Sequence, residues 1–303
     1  MTGNPRIALV TSSAIPDLTP SDRVLAAALH ARGLSAEPAV WTDQAVRWGE
    51  YDLVIVRSPW DYFLRIGEFL DWIDRLDAAG DVKLANGAAV LRWNTHKRYL
   101  RELAERGAPL PPSLWLDHGT VPDLNRDAEQ RGWARLVVKP AVSGGAHDTW
   151  VTDAPLGPAQ QERVAAMLAR GDVLVQPFIE AVPRDGEMSF VFLEGRFSHA
   201  VRKRAAAGDF RVQTEHGGSV ARETVGDAQV RAAAAVLALA PEPTLYARVD
   251  AIVSEAEFLI MELELVEPDL FLDYAPEAAG VLAEAIERRV LTGGLAGGRV
   301  GGL

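Results

Sequence analysis

Met261-Glu262-Leu263-Glu264-Leu265 constrains this chain more than any other stretch. In an extended strand side chains alternate faces. Glu262 and Glu264 therefore leave one side about 6–7 Å apart, while Leu263 and Leu265 enter a core. Two carboxylates fixed side by side repel unless positive charge lies between them. Hard divalent cations such as Mg²⁺ favour that all-oxygen setting, usually shared with phosphate oxygens. Arg248-Val249-Asp250 lies on the preceding apolar run, and a turn near Ser254-Glu255-Ala256-Glu257 makes the two runs a hairpin. With the turn centred on Ala256, Asp250 falls opposite Glu262. A slip of one residue would send it to the other face. A solvated strand face of alternating charge is the other reading of these residues.

The 303 residues suffice for two or three compact units with a large core. A net charge of −11 argues against a nucleic-acid partner, which needs a basic face. An anionic substrate would need a local cluster of Arg and Lys. Cysteine is absent, which excludes disulfides, thiolate metal sites and a cysteine nucleophile. No secretory leader and no membrane-length apolar run is visible, so the expectation is a cytoplasmic protein without membrane contact.

The first ~90 residues alternate strand and helix signals, the pattern of an α/β unit. Arg6 to Thr11 and Asp52 to Val56 read as buried strands. Ser21 is the expected cap of a helix ending at Gly33, and a second helix runs from Ile66 to Leu76. Ligands gather at the carboxyl ends of strands in open parallel sheets. Arg57, Ser58 and Asp61, in the loop Arg57-Ser58-Pro59-Trp60-Asp61-Tyr62, are thus candidate substrate contacts. The alternative is a loop whose Trp60 and Tyr62 only pack on the sheet. Trp41, Trp72 and Trp93 read as core or rim.

A helix capped by Asn94 or Thr95 carries Lys97 in its first turn, where a cation gains nothing from the helix dipole unless both share an anion. Pro109, Pro111 and Pro112 mark a linker. Leu136 to Pro140 is a buried strand ending on Lys139, followed by Ser143-Gly144-Gly145, a loop able to bring backbone N–H groups to phosphate oxygens. Ser-Gly-Gly alone is weak; the strand-end lysine strengthens it. Asp172 to Ile179 is another strand, interrupted by Pro177, which leaves backbone groups for an adenine edge.

The last third is strand-rich. Met188, Phe190 and Phe192 alternate with Glu187, Ser189 and Val191, giving one core face and one mixed face. Glu194-Gly195 turns into a strand ending in Arg202, Lys203 and Arg204. Lys203 and Arg204 read as a solvated strand end; the alternative is that Arg202 and Lys203 face the phosphates. Helices are expected from Ala228 to Leu239 and from Pro276 to Leu291. Gly293 to Leu303 reads as a flexible tail.

This order of two lysines, a glycine loop, a proline-interrupted strand, an acid, a basic cluster and three carboxylates resembles the ATP-grasp superfamily of carboxylate–amine ligases. The resemblance covers about Arg92 to Glu267. It is nearest the glutathione synthetase and ribosomal-protein glutamate ligase branch. Within that branch, Arg57 to Tyr62 and Glu262 to Pro268 look like the cycloserine-forming O-ureido-serine cyclo-ligases. It implies an α/β (α+β) ATP-grasp fold: a parallel pre-ATP-grasp unit over 1–93, subdomains over 94–180 and 181–292, and the tail 293–303.

Carried over by residue, Lys97 and Lys139 match the phosphate-binding lysines, and Ser143, Gly144 and Gly145 the mobile loop. Gln176, Phe178 and Ile179 match the adenine hinge, Glu187 the ribose acid, and Arg211 the arginine facing the transferred phosphoryl group. Asp250, Glu262 and Glu264 match the ligands of Mg²⁺ or Mn²⁺. Many members carry Asn at the place of Glu264, and Gln213 replaces a frequent Asn. The implied chemistry is ATP-dependent: a small amino-acid-like carboxylate becomes an acyl phosphate, and a nitrogen then forms a C–N bond, within the same molecule in the cyclo-ligase branch. Lys139 and Arg211 would neutralise charge. His216 is either the base or a hydrogen-bonded loop residue. Substrate contacts extend to Gly218, in the Arg211 to Ser219 segment. Dimers are common among relatives. A nucleotide-binding protein without turnover and a small-molecule kinase are the alternatives.

Overall fold

A computed structural model describes residues 4–80, 82–206, 208–209, 211–212, 217–254 and 257–291. Its strands fall into three sheets that succeed one another along the chain. The first combines β1 (Arg6–Thr11), β2 (Ser35–Val40), β3 (Leu53–Ser58) and β4 (Leu84–Ala85) in the order β2-β1-β3-β4, all parallel. Helices α1 (Pro20–Ala31) and α2 (Ile66–Ala79) supply the crossovers. The apolar runs of β1 and β3 are buried, as a sheet covered on both faces requires. Trp41 and Trp72 belong to its core.

Ser21 does not cap α1. Pro20 occupies the first helical position, so the cap falls to Thr19, whose hydroxyl accepts the Asp22 N–H at 3.1 Å. Ser21 Oγ instead accepts the Leu272 N–H at 3.0 Å. Likewise, the one helix expected after Asn94 is two short ones, α3 (Ala88–Asn94) and α4 (Arg98–Glu105). Asn94 ends α3, and Lys97 is the cap residue of α4, not part of its first turn.

The second sheet orders β5 (Leu114–Leu116), β8 (Val173–Pro177), β6 (Arg135–Pro140) and β7 (Trp150–Asp153), all antiparallel. Helices α5 (Leu124–Arg131) and α6 (Pro158–Leu168) contribute to its core. The third sheet follows α7 (Ala181–Asp185). It runs β11 (Ser219–Glu223), β10 (Arg196–Arg204), β9 (Glu187–Leu193), β12 (Tyr246–Val253) and β13 (Phe258–Glu264), again antiparallel. Helix α8 (Asp227–Leu237) packs on it. Helix α9 (Pro276–Leu291) returns to α1.

β9 has no solvent face: flanked by β10 and β12, every residue after Glu187 is buried. The mixed face expected from Ser189 is a polar interior. No helix among the described residues is long and apolar enough to cross a membrane. The tail from Gly293 to Leu303 lies outside the described residues.

Gly186 precedes β9 with φ +82°, and a Cβ there would lie 2.3 Å from the Lys203 carbonyl oxygen. Both backbone conformation and space demand glycine. Gly186→Ala should cost roughly 2–4 kcal/mol, read as a lower urea midpoint with unchanged slope.

Candidate active site

β12 and β13 bring together the expected residues, but through a bulge: Ala251 pairs with Ile260, and the register shifts by one residue before Asp250. Asp250 faces Glu262, and Arg248 faces Glu264. Asn94 fixes the far edge of β13 by donating to the Leu263 carbonyl and accepting the Leu265 N–H, both at 2.7 Å. Strand alternation also places Arg248 beside Asp250, and its guanidinium forks onto both Asp250 oxygens at 2.9 Å. The same group reaches Glu264. Lys203 on β10 completes the cluster, 2.8 Å from Asp250 and 2.5 Å from Glu187. Ser189 adds a hydroxyl donor at 2.6 Å.

Asp250 therefore differs from the expectation. Both its oxygens are taken by Arg248, Lys203 and Ser189, so it anchors two cations and presents no free oxygen. Among the described residues no three acidic or histidine side chains converge as a ready metal set. Glu262 and Glu264 do face the cleft, partly exposed. Burial tends to raise Glu262, but Lys97 and Lys139 outweigh it and hold it below the usual carboxylate range. Burial, with Asp250 and Glu262 nearby, pushes Glu264 up to about 8 despite Arg248. Such surplus negative charge on hard oxygen donors fits a divalent cation held by Glu262 and Glu264.

The basic cluster splits by alternation. Lys203 points into the cleft, whereas Arg202 pairs with Glu223 at 3.0 Å and Arg204 is exposed. Lys203 is thus no solvated strand end. Burial lowers its pKa, but Asp250 and Glu187 reverse this and keep it charged.

Across the cleft, Lys97 lies 3.2 Å from Glu262, and its N–H donates to the Ala141 carbonyl at 2.7 Å. Its ammonium also donates to the Ser143 carbonyl at 3.2 Å, tying the base of the glycine loop. Gly144 is pressed on Phe63: a Cβ would lie 3.1 Å from that ring. Lys139 is only 7% exposed, and its ammonium has no hydrogen-bond or ion-pair partner among the described residues. Burial, and next to it Lys97, pulls its pKa down, while Glu262 opposes the shift.

Gln176, Phe178 and Ile179 line the same cleft. Gln176 donates to Ser113 at 2.9 Å, and the Phe178 N–H is spent on the Arg135 carbonyl at 2.8 Å. Glu187 reaches the cleft but is bound to Lys203. Arg211 lines the wall with its guanidinium on Asp209 at 2.8 Å. His216 and Gln213 lie outside the described residues.

The amino-terminal contacts need correction. Arg57 is buried within β3, 2.9 Å from Asp22 and under the Tyr246 ring, and donates to the Pro268 carbonyl at 2.7 Å. Ser58 donates to Thr11, and Asp61 accepts from the Trp41 indole. None of the three lines the cleft, nor does Gly218. The same loop instead contributes Trp60, Tyr62 and Phe63. Beside them stands Glu267, which burial raises to about 7 although the positive charge of Lys97 opposes the shift. The cleft enclosed by these elements measures about 740 Å³, the size of a small-ligand site.

A glycine-loop sheet facing a carboxylate sheet, behind a parallel α/β unit, is the architecture of the ATP-grasp ligases. The chain is similar throughout to a crystal structure of D-cycloserine synthetase DcsG, with TM-score 0.85 and 29% identity over 94% of this chain and 99% of that one. It shares the fold of a D-alanine–D-alanine ligase from Bacillus anthracis complexed with ATP, with TM-score 0.66 and 16% identity over 95% and 98% of the two chains. Residues 7–86 match the family described as D-cycloserine synthetase DcsG, N-terminal domain. The cycloserine biosynthesis protein DcsG of Streptomyces lavendulae is 31% identical over 297 residues, 94% of this chain and 98% of that protein. This chain belongs to the DcsG family of ATP-grasp ligases.

Proposed function

We propose that this chain uses ATP to activate a small amino-acid-like carboxylate as an acyl phosphate and then closes a C–N bond within that molecule, releasing ADP and phosphate. The setting is antibiotic biosynthesis, as for its DcsG relative. One observation carries the reading: Lys139 is a buried cation with no ion-pair partner within 4 Å among the described residues, beside a glycine loop. Such a group costs stability unless an anion arrives, and a nucleotide phosphate supplies one.

Residues 94–180 and 181–292 form the two halves of the clamp. Lys97 and Lys139 hold phosphate oxygens, the Ser143 to Gly145 loop covers them, and the 176–179 hinge takes the base. Bound by Glu262 and Glu264, Mg²⁺ or Mn²⁺ would neutralise charge on the transferred phosphoryl group. A carboxylate oxygen attacks the γ-phosphorus, and the bond to ADP breaks. Nitrogen then attacks the acyl carbon, the C–O bond to phosphate breaks, and the nitrogen loses a proton. Lys139, Arg211 and the Asp250-anchored Arg248 and Lys203 supply fixed positive charge for both steps. His216 is the proposed proton acceptor.

Product analysis with Mg·ATP and O-ureido-serine of either hand tests this. The expected result is ADP, phosphate and a ring-closed product in equal amounts. A phosphorylated substrate without free phosphate would show a kinase. ATP binding without turnover across a panel of amino acids would show a binding protein.

A further inference from the structure

The cleft's charges are nearly all matched internally. Lys97 faces Glu262, Lys203 faces Asp250 and Glu187, and Arg248 faces Asp250 and Glu264. Two groups stand apart. Lys139 is a cation without an ion-pair partner within 4 Å among the described residues, at the phosphate end. Glu267 is a carboxylate without a cationic partner within 4 Å among the described residues, on the side walled by the amino-terminal loop. Asp269, its neighbour on that wall, already accepts the Phe271 N–H at 2.8 Å.

Glu267 is also held in place. The Trp60 indole donates to its backbone carbonyl at 3.1 Å, and the Tyr62 phenol lies beside its carboxylate on the same wall. A fixed carboxylate between aromatic rings attracts a compact cation through charge and ring quadrupole together. The phosphate-facing groups cannot use it, because they are cations matched elsewhere or reserved for the nucleotide.

Resting on the ligase reading, the geometry points to Glu267, tied through its backbone to Trp60 and flanked by Tyr62, as the residue that recognises the substrate's α-ammonium group. It makes the enzyme specific for amino acids over their hydroxy analogues. The ammonium on Glu267 directs the carboxylate of the same molecule toward the phosphates.

The test compares wild type, Glu267→Gln and Tyr62→Phe in ADP formation. Probes are O-ureido-serine of each hand and the analogue carrying a hydroxyl in place of the α-ammonium. Wild type should favour the amino acid at least tenfold in kcat/KM. Glu267→Gln should raise its KM about 10- to 100-fold and erase that preference. Mg·ATP affinity should stay within about twofold, which shows that the fold and the nucleotide site survive. Tyr62→Phe should raise the same KM severalfold. An unchanged KM and preference in Glu267→Gln would overturn the inference and leave the ligase reading intact. Wild-type turnover of the hydroxy analogue alone would do the same. No turnover of either probe or any amino acid would overturn both.

Discussion

Lys139→Met should lower ADP formation by about 10³-fold or more, roughly 4 kcal/mol of lost transition-state stabilisation, while leaving the protein as stable as wild type or more so. The two halves of this expectation share one cause. Lys139 is buried at the end of β6 with no counterion among the described residues, and burial pulls its pKa down. Its charge is unfavourable in the unliganded fold, so methionine, which fills similar space without charge, relieves that cost. Once a triphosphate enters, Lys97 offsets only part of the loss, because its charge is shared with Glu262 and the Ser143 carbonyl. Mg·ATP affinity should fall together with turnover, and the melting temperature should not. Near-normal ADP formation in the variant would remove Lys139 from the site.

Asp22→Ala should destabilise the fold by about 3–5 kcal/mol, the usual cost of stranding a buried charge. Arg57 and Asp22 are each 1% exposed and lie 2.9 Å apart. The pair binds α1 to the end of β3, and Arg57 extends it to the Pro268 carbonyl just beyond β13. With Asp22 gone, Arg57 keeps that carbonyl and the Tyr246 ring but no anion at contact distance. Combining Asp22→Ala with Arg57→Met should recover most of the loss, since an apolar pair of like volume replaces a buried ion pair at little cost. Urea unfolding of the three variants measures both effects. A loss below about 1 kcal/mol for Asp22→Ala would mean that the pair is not isolated from solvent.

Legibility in the sequence followed regular periodicity and failed where the chain leaves it. The pairing of Asp250 with Glu262 is readable from strand alternation, but the bulge between Asp250 and Ala251 that produces it is not. That rule also places Arg248 on the face of Asp250, a signal present in Arg248-Val249-Asp250 but not used. It marks Lys203, but not Arg202 or Arg204, for the cleft. The final helix matches its expected limits, Pro276 to Leu291.

Loop residues were less readable. Arg57 looked like a ligand contact because it ends a parallel strand, yet its counterion, Asp22, lies 35 positions away and only the fold brings them together. The alternative that Trp60 and Tyr62 pack on the sheet holds in part, since Tyr62 is buried against Phe69, but both also wall the cleft. Glu267 follows the last strand in irregular chain, where no period assigns a face. The family was readable because lysines, glycine loop and carboxylates occur in a fixed order, which survives even where individual contacts differ.

The central claim is that a substrate carboxylate is phosphorylated before the C–N bond forms. The direct measurement supplies O-ureido-serine labelled with ¹⁸O in its carboxylate, with Mg·ATP, and follows the label in released phosphate. One ¹⁸O per phosphate, matched to one ring-closed product, is the predicted result. Ring closure with unlabelled phosphate would contradict the acyl-phosphate route.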